Sequence, residues 1–215
     1  MVFVLTNTSI KQELISYFKR NDTDFLTSIP FFIMLGERRV ATDLKILGTK
    51  TFIDGNLTPG NPRLQKDVRW LNNASCEIGV INPDFDPDNF TTRKKILECS
   101  YLWGDSYWPN PTITGEPKYY ADQTYFEWVF YPTPDLAYPY RIGFFQFPNF
   151  IDDTEQSNWF TAFAPHVLWS AICLETAIYL EDGPRIPIWE AQYQKDIASL
   201  TTEDKQRMYD EYSVR

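Results

Sequence analysis

Eleven of the 15 prolines in this 215-residue chain fall between Pro59 and Pro148. Proline lacks a backbone N–H and holds φ fixed. Such a stretch cannot form long helices, and any strands in it must be short or interrupted. On both sides of it apolar residues recur at helical spacing. The chain therefore reads as a helical start, a Pro-rich middle and a helical end.

Near the start, Ser9 and Gln12 have the spacing of a capping box, and Ile10, Leu14 and Phe18 follow on one face. A turn is expected around Asp22. Ser28 is placed to cap a second helix, with Pro30 in its first turn and Gly48 beyond its end. Ile29, Ile33, Gly36, Val40, Leu44 and Leu47 recur at steps of 4, 3, 4, 4 and 3, which makes one continuous stripe. A third helix is expected over residues 165–180, stopped by Glu181, Asp182, Gly183 and Pro184. A fourth starts near Pro187, with Trp189, Tyr193, Ile197 and Leu200 on one face. The polar end, residues 201–215, reads as a further helix or as a mobile arm that orders on docking.

Strand signals occupy residues 69–80, 96–103, 118–120, 125–131 and 138–147. The stretch YFEWVFYPTPDLAYPYRIGFFQFP, residues 125–148, holds ten aromatic residues and four prolines. It reads as a hairpin with a Pro-turned connection. Phe126, Trp128 and Phe130 would then fill a core, and Tyr125, Glu127 and Tyr131 would face outward. The fold class is α+β. A helical bundle forms from residues 1–50 and 160–215, and an antiparallel β-domain is inserted at 51–159.

The formal net charge is −9, from 20 basic and 29 acidic side chains. Without a basic stripe, neither a nucleic-acid grip nor capture by an anionic membrane is expected. No run of about 18 apolar residues suits a membrane span. Cys76, Cys99 and Cys173 read as free thiols of a reducing compartment. His166 is the one histidine, and no Gly-x-Ser-x-Gly elbow or Gly-rich phosphate loop accompanies it. Asp84, Asp86 and Asp88 have the spacing of a calcium loop. The position that needs glycine is Asn89, and the one that needs a bidentate glutamate is Lys95. Catalytic, cofactor and metal sites are therefore not expected, and the chain does not read as an enzyme.

The aromatic excess remains, with 7 Trp, 13 Tyr and 16 Phe. Trp103, Tyr107 and Trp108 lie together in YLWGDSYWPN. Exposed, they would form a platform of a carbohydrate-binding module. Paired with a second copy, they would form a subunit interface.

Several segments, in order, resemble one family. They are IPFFIMLGERRVATDLKILG, NPRLQKDVRWLNNASCEIG, the aromatic centre with its Gly-x-Pro-x-Tyr-Tyr and Tyr-Pro-Thr-Pro-Asp pieces, and NWFTAFAPHVLWSAICLETAIYLED. The chain resembles the head-to-tail adaptor (connector) proteins of short-tailed bacteriophages, the tubular-tail-A-like group. The resemblance implies a non-enzymatic virion protein at the head–tail interface, assembled in the host cytoplasm. It implies a ring of twelve copies that joins the portal protein to the tail nozzle protein, with DNA passing through the bore without specific binding. In that setting Trp103, Tyr107, Trp108, Tyr119, Tyr120, Tyr125 and Tyr131 are candidates for the subunit interface. Met208, Tyr209, Tyr212 and Arg215 are candidates for a portal-docking arm.

Overall fold

The computed structural model describes residues 5–79 and 93–212, with side chains as far as Arg207. The Asp84–Asn89 motif lies outside the described residues, as does Arg215. The chain is α+β and forms two compact units. One combines 1–49 with 147–215, and the other is 50–146.

The first unit is helical. Helix α1 spans Asn7–Phe18, and its N-cap is Thr6 rather than Ser9. Thr6 and Ser9 cap reciprocally: the Ser9 amide donates to Thr6 Oγ1 at 3.2 Å, and the Thr6 amide to Ser9 Oγ at 2.8 Å. Ile10, Leu14 and Phe18 are buried, as the periodicity requires.

Helix α2 spans Thr23–Asp43 and begins earlier than Ser28. The carboxylate of Asp22 accepts from the Phe25 amide at 3.0 Å and supplies the cap. Ser28 is internal, and its hydroxyl donates to the Asp24 carbonyl. Pro30 lies inside the helix, where it costs about 3 kcal/mol. Extending the stripe upstream buries Phe25 beside Ile29, worth about 1.5–3 kcal/mol per side chain, and that offsets the proline. The helix ends at Leu44, whose amide donates to the Val40 carbonyl. Gly48 serves packing instead of capping, since a Cβ there would fall 2.1 Å from the Trp159 ring.

Helices α4 (Trp159–Phe163), α5 (Pro165–Tyr179) and α6 (Ile186–Tyr212) complete the unit. The buried face of α5 meets α2 where Gly36 lies under Ile172. Arg39 pairs with Glu175 at 2.5 Å, and the Tyr193 hydroxyl donates to Asp43 at 2.8 Å, joining α2 to α5 and α6. Residues 147–159, read from the sequence as part of the insertion, belong to this unit. Ile151 is in the helical core, and its amide donates to both carboxylate oxygens of the buried Glu37.

The polar end is not a separate arm over residues 201–207 but a continuation of α6. No proline or glycine interrupts it, and Glu203 pairs with Arg207 one turn on. Asp204 accepts from the Leu47 amide at 3.1 Å, which ties this stretch to the bundle.

The second unit holds two four-stranded sheets. One has the order β1 (Lys50–Asn56), β10 (Pro139–Gln146), β3 (Trp70–Gly79), β4 (Arg93–Lys95), all antiparallel. The other has the order β2 (Arg63–Gln65), β8 (Glu127–Tyr131), β7 (Tyr119–Asp122), β5 (Leu97–Glu98), in which β5 is parallel to β7. A short parallel pair, β6 (Thr114–Gly115) with β9 (Thr133–Pro134), stands beside them. Trp70, Cys76, Ile78, Tyr120, Trp128, Phe130, Ile142 and Phe144 fill the core of this unit.

The expected hairpin over residues 125–147 does not form. Strands β8 and β10 lie in different sheets. Pro132 and Pro134 cannot donate to a ladder, so the connection leaves one sheet through β9 and enters the other. Phe126 precedes β8 and is 63% exposed, so it does not fill the core. The expected strand over 96–103 is only Leu97–Glu98, followed by helix α3 (Tyr101–Tyr107). Ser100 redirects the chain by capping α3 and accepting from the Trp103 amide at 3.2 Å.

Candidate functional site

Helix α3 lies on the outer face of the second sheet. Gly104 makes the close approach possible, because a Cβ there would fall 2.3 Å from the Tyr131 ring. The contact covers Val129 and Tyr131 on the side of β8 that faces away from Trp128. Both faces of this strand are therefore buried.

One turn apart on α3, Trp103 and Tyr107 stack with centroids 5.5 Å apart and planes at 19°. Trp108 follows at the C-cap, 4.4 Å from Tyr107 and 5.9 Å from Tyr131. Tyr119 closes the group at 5.1 Å from Trp103 and 5.6 Å from Trp108. Five of the seven candidate interface residues thus form one connected set of rings. Trp103 is 43% exposed, Tyr107 66%, and neighbouring Leu102 76%.

The other two candidates lie elsewhere. Tyr120 alternates to the opposite face of β7 and is 2% exposed in the core, donating to Glu98 at 3.3 Å. Burial, reinforced by Glu98, pushes its phenol well above the usual range. Tyr125 is exposed and packs edge-on against Trp70, away from α3. Tyr131 is in the ring set but only 6% exposed, so it supports the surface without forming it. Sequence reading missed Leu102 and Ile113, both exposed in this region. A helix in place of the expected strand puts Leu102 outside.

His166 is exposed in the first turn of α5. Asp152 accepts from the amides of Thr154 and Glu155, and Asp153 pairs with Lys11 at 2.6 Å. Cys76 and Cys173 are buried free thiols, pushed far above the usual thiol range by desolvation. Among the described residues, no three His, Cys, Asp or Glu side chains gather where they could hold a metal ion. Among the same residues, no helix is long and apolar enough to cross a membrane. Met208, Tyr209 and Tyr212 lie in the last turns of α6, beyond the described side chains.

The family model described as SU10 adaptor protein matches residues 6–215. The chain belongs to the SU10 adaptor protein family. This adaptor is accordingly a structural component of a phage virion, of the head-to-tail adaptor type. Its family is structural, and its work lies in contacts with other virion components such as portal and tail. No individually curated protein matches the adaptor.

Proposed function

We propose that the chain assembles into a ring of twelve copies between the portal and the tail nozzle of a short-tailed phage, enclosing the DNA channel. Family membership over residues 6–215 supports the adaptor role. The observation that carries the ring is the exposed aromatic set on α3. Large apolar side chains grouped on a surface and braced from beneath mark an interaction site. In a ring, each copy presents two different side surfaces to its neighbours, and closure comes by rotation. Trp103, Tyr107, Trp108 and Tyr119 form one of them. Met208, Tyr209 and Tyr212, in the last turns of α6, and Arg215, outside the described residues, grip the portal.

The net charge of −9 suits a conduit. An acidic bore repels phosphate and lets DNA slide. The same rings could receive a sugar face, but no observation favours that reading over a protein partner.

Portal rings mixed with the chain and imaged by electron microscopy test the proposal. Twelve-fold rings are expected on the portal. A Trp103→Ser, Tyr107→Ser double variant should stay folded by circular dichroism and lose the ring. A monomer that ignores portals and binds oligosaccharide would sink the reading.

A further inference from the structure

A ring built on α3 needs a second, different face on the next copy to receive it. Helix α2 carries such a face. Thr27, Phe31, Met34 and Arg38 recur at steps of 4, 3 and 4, and all four are exposed. They lie opposite the buried Ile29, Ile33, Gly36 and Val40. The Arg38 guanidinium sits 6.0 Å from the Phe147 ring, and Phe147 meets the exposed Phe150 at 6.2 Å. The apolar surface therefore continues past the cation.

The outer face of α3 is its counterpart. Gly104 faces the sheet, so the helical repeat sets Leu102 and Ser106 outermost. Trp103 and Tyr107 then stand on one flank, and the exposed Asp105 on the other. Among the described residues, Asp105 forms no ion pair with a cation, and Arg38 forms none with a carboxylate. Each exposed apolar set thus holds one unmatched charge, and the two charges are opposite.

We infer that α3 of one copy docks on the Phe31–Met34–Arg38 stripe of the next copy's α2, with Asp105 against the neighbour's Arg38. The inference rests on the ring reading above. The lengths agree: Phe31 to Arg38 covers about 10 Å of helix, and so does α3. The chemistry agrees as well, since a thioether packs favourably on aromatic rings, and Met34 would meet Trp103 and Tyr107. Charge points the same way over longer stretches. Residues 51–165 carry 8 basic and 15 acidic side chains, whereas residues 1–50 carry 7 and 5. An ion pair left in water contributes little. Ringed by Leu102, Trp103, Phe31 and Met34, this one is shut off from solvent on docking, and it fixes the register of the contact.

Charge reversal tests the contact. Arg38→Glu and Asp105→Arg each set like charges against each other across it. Both variants should stay folded by circular dichroism, since neither side chain has an ionic partner to lose. Each alone should lower ring formation on portal rings, counted by electron microscopy, at least about tenfold. Mixed in equal amounts, the two variants should form rings again. Alternating them around an even-numbered ring restores an opposite pair at every contact. A chain carrying both changes should form rings by itself. Rings from either variant alone as abundant as wild type, or no rings from the mixture, overturn this contact and leave the ring reading standing. A wild-type chain that forms no ring overturns the ring reading and the contact together. Should a reversal unfold the chain, Arg38→Gln and Asp105→Asn take its place in a double-mutant cycle on ring dissociation. Coupled effects support the contact, and additive ones overturn it.

Discussion

The ammonium of Lys66, its side chain fully buried, lies 2.7 Å from the carboxylate of Asp122. The same Nζ donates to the Thr124 carbonyl at 3.0 Å and sits 3.6 Å above the Trp70 ring. Asn73 completes the network. Its Oδ1 accepts from the indole N–H groups of Trp70 and Trp128, at 3.0 and 2.8 Å, and its Nδ2 donates to Asp122. A buried charge is tolerable here because each of its neighbours is satisfied.

Removing one partner should therefore hurt more than removing the charge itself. Asp122→Ala leaves a buried ammonium with one carbonyl and a ring face, and should cost ~2–3 kcal/mol in urea unfolding. The value lies at or below the lower end for buried pairs because Asp122 is 38% exposed. Lys66→Met should cost less than Asp122→Ala, since no charge is then stranded. Equal losses in the two variants would refute this ordering.

The crossing of α2 and α5 depends on Gly36. A Cβ there would fall 2.6 Å from Ile172 Cγ1 and 3.0 Å from the backbone of Ile172. Backbone cannot swing aside, so Gly36→Ala should cost ~1–3 kcal/mol despite the better helix propensity of alanine. Adding Ile172→Val should recover little, because the backbone contact persists.

Glu37 should make stability fall with rising pH. Burial pushes its carboxyl from 4.5 to about 8, against the donors on Ile151 and Asn158. The folded state then holds a proton that the unfolded state has released between those values. Its contribution is fully present below 4.5 and is lost as pH rises through about 8. Wild type should lose up to ~1.4 kcal/mol per pH unit relative to Glu37→Gln across that window. Parallel stability–pH curves for the two proteins would remove Glu37 as the cause.

The end of α6 can be divided by truncation. A chain ending at Arg207 keeps the Asp204 contact to the Leu47 amide and should unfold within ~0.5 kcal/mol of wild type. A chain ending at Leu200 loses that contact and should be less stable. If Met208, Tyr209, Tyr212 and Arg215 grip the portal, the Arg207 truncation should lose portal affinity while staying folded. Full affinity would exclude them.

The helices were legible because their signals are local. The stripe from Ile29 to Leu44, the Pro165 start and the Gly183–Pro184 stop act within a few turns of chain. Helix ends were less legible, because Asp22 and Ser28 are both good caps, and the choice depends on how far the apolar stripe finds a partner. In the sheet unit, pairing is non-local. Nothing near Tyr131 says that β8 pairs with β2 and β7 while β10 pairs with β1 and β3.

The aromatic site divides along the same line. Sequence by itself determined that rings concentrate in residues 101–131, and that Trp103 and Tyr107 stand one helical turn apart if a helix forms. Ser100 offers a local cap, and only the tertiary structure decided the helix, through the approach of Gly104 to Tyr131. That approach turned Tyr131 from an expected outward residue into a buried support, and Tyr120 went to the core by the alternation of β7. The physical reason is that a strand's two faces are equivalent until something covers one, and the cover arrives from elsewhere in the chain.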